Sequence, residues 1–332
     1  MKTKILITGG AGCIGFETAK QLLKKNYEVV VFDLYEQLLR VMSELKKYKN
    51  CKIYHGTIMD VNALTEAAKD CHYIIHLAAY LGVNRTETNR LMCLDLNING
   101  TKNVLDAAVL NKNIKKFIFA SSSEVYGEPI KNPITEKAIT QGNTVYAVSK
   151  LAGEELVKAY SKKFPKMKNT ILRYFNTYGP NQIAQFVVPK FLDNIKKGKS
   201  PIVYGAGSQV RSYCYVEDTA SATINCIENQ KSNGKIINIG NSSEPVSLKE
   251  LSSLCIKLFS KKKMKAKFVN NFKKTDRSKN REIYERYSDT TFAKKIINFK
   301  AKVKLTEGLK KLNSYGNFRN AWSVNDEKYY ID

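Results

Sequence analysis

The chain is poor in the residues that build metal centres and cross-links. It has three histidines and seven cysteines among 332 residues, and no C-x-x-C pair joins any of the cysteines, which stand at 13, 51, 71, 93, 214, 226 and 255. An odd, scattered set without ligand spacing excludes a disulfide framework and a zinc site, so the thiols are expected to be reduced and mostly packing. His55, His72 and His76 lie in or beside apolar runs and read as core or strand-end residues, which leaves no metal site. No stretch approaches the roughly 18 consecutive apolar residues of a membrane span. The opening MKTKILITGG runs into a strand and a turn instead of a signal peptide. A cytoplasmic protein with no membrane partner is the expectation. Internal repeats and low-complexity linkers are also missing.

Acidic residues are scarce as well, 30 against 55 lysines and arginines, for a formal charge of +25. Such an excess invites a nucleic-acid or membrane-surface partner. Against that, the excess is almost all lysine spread along the chain, with one dense patch at Lys261, Lys262, Lys263, Lys265 and Lys267. No arginine stripe interleaved with aromatics accompanies it, so no nucleic-acid partner is expected. Attraction of an anionic small substrate is the simpler consequence.

What is present is a soluble globular composition, 43% hydrophobic and 26% charged, on a chain long enough for two lobes. Short apolar runs recur at Lys4 to Thr8, Glu28 to Phe32, Lys52 to His55, Tyr73 to Leu77, Lys116 to Ala120 and Thr170 to Tyr174. Helical patterns lie between them, among them Cys13 to Lys25, Leu91 to Leu110 and Tyr146 to Lys163. That alternation predicts an α/β fold, a doubly wound parallel sheet of the Rossmann type covered on both faces. Past residue 175 the pattern breaks, and another strand-like run at Lys235 to Ile239 is placed to return to the first sheet. The expected organisation is a dinucleotide-binding domain over 1–175, rejoined by 210–241, and a smaller interleaved C-terminal α/β substrate lobe over 176–209 and 242–332.

Directly after the first run comes Thr8-Gly9-Gly10-Ala11-Gly12-Cys13-Ile14-Gly15, a G-x-x-G-x-x-G pattern opening a helix. Glycines let the backbone turn tightly and approach a pyrophosphate, and the helix N-terminus offers free N–H groups at the positive end of its dipole. The second run is followed by Asp33, whose carboxylate suits ribose hydroxyls and repels a 2′-phosphate, favouring NAD over NADP.

Tyr146-Ala-Val-Ser-Lys150 puts a phenol and an ammonium on one helical face. A tyrosine near its ordinary pKa of about 10 is a poor base at neutral pH, so the positive charges of Lys150 and an oxidised nicotinamide are expected to lower it. The phenolate would then take a proton from a sugar hydroxyl while the carbon beneath gives hydride to NAD. Upstream, ASSSEVYGEP places Ser122, Ser123 and Glu124 at the end of a buried run.

In these motifs the chain resembles the extended short-chain dehydrogenase/reductase family, the NAD-dependent nucleotide-sugar epimerases, dehydratases and decarboxylases. The resemblance runs over nearly the whole length: TGGAGCIG, HLAAY at 76–80, NINGTKNVLDAA at 97–108, SSSEVYG at 121–127, YAVSK at 146–150, RYFNTYGP at 173–180, VYGAGSQVRSYCYVED at 203–218 and INIGN at 237–241. It implies tightly bound NAD, held by Gly9, Gly12, Cys13, Ile14, Gly15, Asp33, Ile58, Leu77, Ala78, Ala79, Tyr146 and Lys150. It implies oxidation of the sugar at C4, with Ser122 the partner of the C4 oxygen, Tyr146 the base and Lys150 on the nicotinamide ribose. Asn176 falls where the family contacts substrate, and Arg211 and Arg286 where arginines grip the diphosphate. Paired helices at 91–110 and 146–163 imply a homodimer or a homo-oligomer built from dimers. One departure is Gly56-Thr57-Ile58, where a Gly-Asp-Ile is common; Asp60 is not expected to replace the missing carboxylate.

The reaction that follows C4 oxidation is less sharply written. Return of hydride to the opposite face gives 4-epimerisation, the expected outcome; release of the keto sugar by a 4-dehydrogenase is the alternative, followed by 4,6-dehydration and decarboxylation. Ser123 stands where Thr-Asp-Glu dehydratases carry an acid, and a hydroxyl is a far poorer proton donor. Glu124 is either a base beside the ketone or a residue that orients substrate. A non-catalytic NAD-binding protein is disfavoured by the intact Ser122, Tyr146 and Lys150.

Overall fold

The computed structural model describes residues 2–183, 186–270, 283–316 and 318. The segments 271–282 and 319–332, assigned above to the substrate lobe, lie outside the described residues.

The apolar runs form one sheet of seven parallel strands: β1 (Lys4–Thr8), β2 (Glu28–Asp33), β3 (Cys51–His55), β4 (Tyr73–His76), β5 (Lys116–Ser122), β6 (Lys168–Tyr174) and β7 (Lys235–Ile239), in the order β7-β6-β5-β4-β1-β2-β3. Side chains alternate between its faces because the strand period is two. Ile5, Ile7, Val29 and Val31 enter one apolar layer, and Leu6, Val30 and Phe32 the other. Burial on both faces is why these strands read as continuous apolar runs.

The first layer is closed by α1 (Cys13–Lys24), α5 (Val216–Glu228) and α6 (Thr291–Ile297), through Phe16, Ala19, Leu22, Ile224 and Ile297. The second is closed by α2 (Val61–Ala68), α3 (Gly100–Leu110) and α4 (Val145–Lys163), through Leu64, Val104, Leu105 and Val157. The chain winds outward from β1 to β3 and then restarts at β4 on the other side of β1. A crevice opens at the carboxyl ends of the strands where the winding reverses.

After residue 175 the chain leaves the sheet and comes back as β7, whose Ile237 lies opposite Leu172 of β6. A separate apolar cluster, including Tyr178, Phe191, Leu192, Val203, Leu251 and Leu309, fills the smaller lobe. Among the described residues no helix is long and apolar enough to cross a membrane.

One expected element is interrupted. Residues 91–110 are not a single helix: Arg90–Leu94 is followed by a π-helical turn at Asp95–Asn99 and then by α3. The widened turn aims Asn97 inward, where its Oδ1 accepts from Tyr80 N (2.7 Å) and its Nδ2 donates to Tyr80 O (3.0 Å) and Ser149 Oγ (2.9 Å). Such turns recur at functional sites, and here one ties the loop after β4 to α4.

Helix α4 is also tied to the sheet by charge. Arg173 on β6 donates from Nε and Nη2 to Glu154 Oε1 and Oε2 at 2.8 and 2.7 Å, and Ser121 Oγ donates to Glu154 Oε1 at 2.6 Å. Both side chains are almost fully buried, 5% and 2% exposed. Removing one partner leaves the other charge desolvated, so Arg173→Met is expected to cost about 3–5 kcal/mol in urea unfolding. The pair replacement Glu154→Leu with Arg173→Met should cost less; a loss below about 1 kcal/mol for the single variant would contradict this account.

Candidate active site

A cavity of about 400 Å³ lies along the carboxyl ends of β1, β2, β4, β5 and β6. Its first end is built by the glycine loop. Gly9 has φ +70°, and a Cβ there would lie 2.6 Å from Ala78 N; one on Gly15 would lie 2.2 Å from Gly9 O. Only glycine permits this approach of loop, helix and the segment that follows β4. Gly12 opens α1 without a side-chain cap, and the first turn carries no acidic residue. The helix therefore presents N–H groups and a positive dipole end to the cavity, the arrangement that accepts a pyrophosphate.

Asp33 closes β2 and lines the same end. Its Oδ2 accepts from Ala11 N (2.9 Å) and its Oδ1 from Leu34 N (2.8 Å), so the carboxylate also braces the glycine loop. Phe32, Leu34, Gln37, Thr57 and Ile58 complete this wall. Thr57 Oγ1 accepts from Met59 N (3.2 Å), and Asp60 caps α2 by accepting from Ala63 N (2.9 Å). Asp60 is thus a helix cap.

The cavity floor is made by Leu77, Ala78 and Ala79. Beneath it His76 is buried between Thr8 Oγ1 (2.7 Å) and Thr101 Oγ1 (3.0 Å). Burial, with Lys150 nearby, lowers its pKa to about 3, so it is a neutral core residue. Among the described residues no cluster of three or more His, Cys, Asp or Glu could hold a metal ion.

At the middle stand Ser122, Tyr146 and Lys150. Thr144 caps α4 by accepting from Ala147 N (3.0 Å), which starts the helix just before Tyr146. The Ser122 side chain accepts from Glu124 N (3.2 Å) and is among the groups that act on the Tyr146 phenol. Lys150 Nζ donates to Ala120 O at 2.9 Å and lies 5.7 Å from the Tyr146 ring centroid.

In the cofactor-free protein the electrostatics run opposite to those expected with an oxidised nicotinamide beside Tyr146. Burial raises the Tyr146 pKa above the ordinary tyrosine value, with Glu124 and Cys93 adding to the rise and Ser122 and Arg286 opposing it. Lys150 is itself pulled down to about 8 by burial. The ammonium faces the Ala120 carbonyl, and its charge does not offset the desolvation of the phenol.

The far end gathers Glu124, Asn176 and Arg286. Arg286 Nη2 lies 3.8 Å from Glu124 Oε1. Asn176 Oδ1, Asn181 Nδ2 and Gln182 Oε1 are buried polar atoms without a hydrogen-bond partner in the protein, the state of groups that a polar ligand completes. Two expected site residues are elsewhere. Ser123 is buried but does not line the cavity. Arg211 does not line it either: its guanidinium donates to the carbonyls of Val210 (2.8 Å), Tyr284 (3.1 Å) and Ile283 (2.6 Å). Asn181 and Gln182 were not expected. The available signal was their place directly after Gly179-Pro180, where Asn181 takes φ +63°.

With this geometry in view, comparisons with known proteins decide the family. The model of the NAD dependent epimerase/dehydratase family matches residues 5–240. The chain belongs to that family. It is 35% identical over 321 residues to a UDP-N-acetyl-alpha-D-glucosaminuronate decarboxylase of Bacillus cytotoxicus, covering 93% of this chain and 96% of the relative. It is 29% identical over 314 residues to a UDP-glucuronate 4-epimerase of Thermodesulfobacterium geofontis, covering 92% and 94%. Among solved structures, the UDP-glucuronic acid 4-epimerase of Bacillus cereus in complex with UDP-glucuronic acid and NAD superposes with a TM-score of 0.85 at 28% identity, covering 94% and 98%. As a member of this family the enzyme is NAD-dependent, and the glycine cradle and uncapped helix end fit that cofactor.

Two outcomes follow. Asp33→Ala removes a charged acceptor from the cofactor end and should weaken NAD by about 10- to 100-fold in calorimetric titration, as expected for charge-assisted bonds of about 1.5–3 kcal/mol; unchanged affinity would remove Asp33 from the cofactor site. In the cofactor-free protein the Tyr146 phenol should stay protonated past the ordinary range near pH 10. Ultraviolet titration of wild type minus Tyr146→Phe should therefore show no phenolate signal below that pH, and an earlier signal would contradict the burial effect.

Proposed function

We propose that the enzyme oxidises the C4 hydroxyl of a nucleotide-diphosphate sugar and restores it with inverted configuration, a 4-epimerisation with a UDP-linked uronic acid as the favoured substrate. The observation that carries this reading is the convergence of Ser122, Tyr146 and Lys150 with the Glu124–Arg286 pair on one cavity. Tyr146 takes the proton of the C4 hydroxyl as the base, and Ser122 holds the C4 oxygen. When bound, NAD accepts the C4 hydride and gives it back. Lys150, anchored on Ala120 O, would hold the nicotinamide ribose, and an oxidised ring would bring positive charge beside the buried phenol. Inversion needs the keto sugar to present its other face, and Tyr146 then returns the proton.

Arg286 is assigned to the sugar end. Expected above at the diphosphate, it lies instead 3.8 Å from Glu124, two residues beyond Ser122, and a guanidinium there suits a carboxylate at C6. Asn176, Asn181 and Gln182 offer the remaining polar contacts. The names of the relatives point to the same substrate class. Residues 1–175 with 210–241 are assigned to the cofactor, and 176–209 with 242–332 to the sugar nucleotide.

A second reading is decarboxylation. A C4 ketone lies β to a C6 carboxylate and labilises it, and the Glu124–Arg286 pair sits beside that position, as expected of a site that handles the carboxyl group and the C5 proton. We also propose a cytoplasmic homodimer. Leu91 and Val148 are 83% and 43% exposed on the helices expected to pair, and sedimentation equilibrium would test it.

The test is incubation with UDP-, GDP-, CDP- and dTDP-sugars, following nicotinamide absorbance and product mass together. Epimerisation predicts unchanged mass and no net cofactor reduction; loss of carbon dioxide, water or two hydrogens would replace it by decarboxylase, dehydratase or dehydrogenase. Tyr146→Phe should lose turnover by at least about 100-fold while still binding NAD. Glu124→Gln should keep oxidising C4 in an epimerase and should stall at the keto sugar in an eliminating enzyme.

A further inference from the structure

Arg286 reaches the cavity from a strand of only two residues, Glu285–Arg286, and the neighbours on both sides of that strand decide where it sits. Along one edge it pairs in parallel with Val210–Ser212, Glu285 opposite Val210 and Arg286 opposite Arg211. There the Arg211 guanidinium binds the carbonyls of Ile283 and Tyr284, just ahead of the strand. The other edge is held by the chain that leaves the Ser122–Tyr126 turn. Glu128 Oε2 accepts from Tyr284 N (2.9 Å). Asn132 Nδ2 donates to Glu285 O (3.2 Å) and its Oδ1 accepts from Tyr287 N (3.3 Å). Ile134 N donates to Tyr287 O (2.9 Å), and Ile134 O accepts from Asp289 N (2.8 Å).

One amide thus bonds the residues immediately before and after Arg286, in the way a peptide group of an adjoining strand would. The loop that does so begins at Gly127, three residues beyond Glu124. Among the described residues, both partners of the Glu124–Arg286 pair are therefore braced by one short run of chain, and Val210–Ser212 pairs with the strand along its other edge.

We propose that Asn132 is a positioning residue for Arg286: by bracketing Glu285 and Tyr287 it fixes the guanidinium opposite Glu124 at the substrate end of the cavity. Arg211 completes the bracket from the opposite edge as a second positioning residue. This rests on the proposed function only for the ligand it names, and the structural arm of the test needs no ligand.

Crystal structures of ligand-free wild type and Asn132→Ala are compared, with Asn132→Ser taking its place if the alanine variant does not fold. The expected result is an Arg286 guanidinium displaced from Glu124, the separation growing from 3.8 Å well past the ion-pair limit of about 4 Å, with β5 and α4 unmoved. In solution the dissociation constant of UDP-glucuronate should rise about tenfold while that of NAD is unchanged. In an Arg286→Ala background the same substitution should add less than about twofold, because the two residues act through one guanidinium. An Arg286 that keeps its place, or a tenfold loss repeated in the Arg286→Ala background, overturns the proposal. Failure of wild type to bind UDP-glucuronate counts against the substrate reading and leaves the structural comparison to decide for or against Asn132.

Discussion

The buried pair between Glu154 and Arg173 is the contact on which the site depends, because it decides where α4 lies. Helix α4 carries Tyr146 and Lys150 on its first turns and Glu154 one turn further on, so a carboxylate fixed by two guanidinium bonds and the Ser121 hydroxyl indexes the helix against β5 and β6. Lys150 repeats the indexing from the same helix through Ala120 O. Ser121 and Ser122 are consecutive on β5 and serve different tasks: the first holds the helix through Glu154, and the second lines the cavity with Tyr146. Charges so deeply buried stabilise only as a complete set, which makes the pair a specification of geometry more than a source of net stability.

Desolvation sets the chemistry of the same region. Tyr146 and Lys150 are buried, and burial moves each toward its neutral form, the phenol upward and the ammonium down to about 8. A protein at rest therefore has no phenolate to waste on solvent. Bound NAD would bring its own positive charge beside the phenol, so on the reading proposed above the cofactor, the lysine and the tyrosine would act together. Of the two arginines singled out in the sequence, Arg286 lines the cavity and Arg211 bonds backbone carbonyls.

Much of the fold was legible because buried parallel strands leave long apolar runs and glycine loops leave a spacing that only close backbone approach demands. β7 matches the run Lys235 to Ile239 residue for residue, and every expected cofactor residue from Gly9 to Ala79 lines the cavity. What escaped the sequence depends on side-chain direction across long separations. Arg211 and Arg286 are both arginines in suggestive segments and lie opposite each other in a two-residue ladder, yet only their side-chain surroundings show that Arg286 lines the cavity while Arg211 bonds backbone carbonyls. The π-turn at Asp95–Asn99 was hidden because its cause, Asn97 bonding Tyr80 and Ser149, lies in two other segments. The sign of the Tyr146 shift was hidden for a related reason: spacing puts Lys150 on the same face but does not say that its ammonium turns to Ala120.

On the reading proposed above, the open step is what happens after a C4 ketone forms. The account's central claim is that one carbon loses its hydrogen and receives it back within a single binding event, with the rest of the sugar intact. UDP-glucuronate carrying deuterium at C4 tests this directly by nuclear magnetic resonance and mass spectrometry of the product. The account predicts a sugar inverted at C4 that keeps both the deuterium on that carbon and the carboxylate at C6. A product that has lost the carboxyl group, or has lost the deuterium from C4, would contradict it.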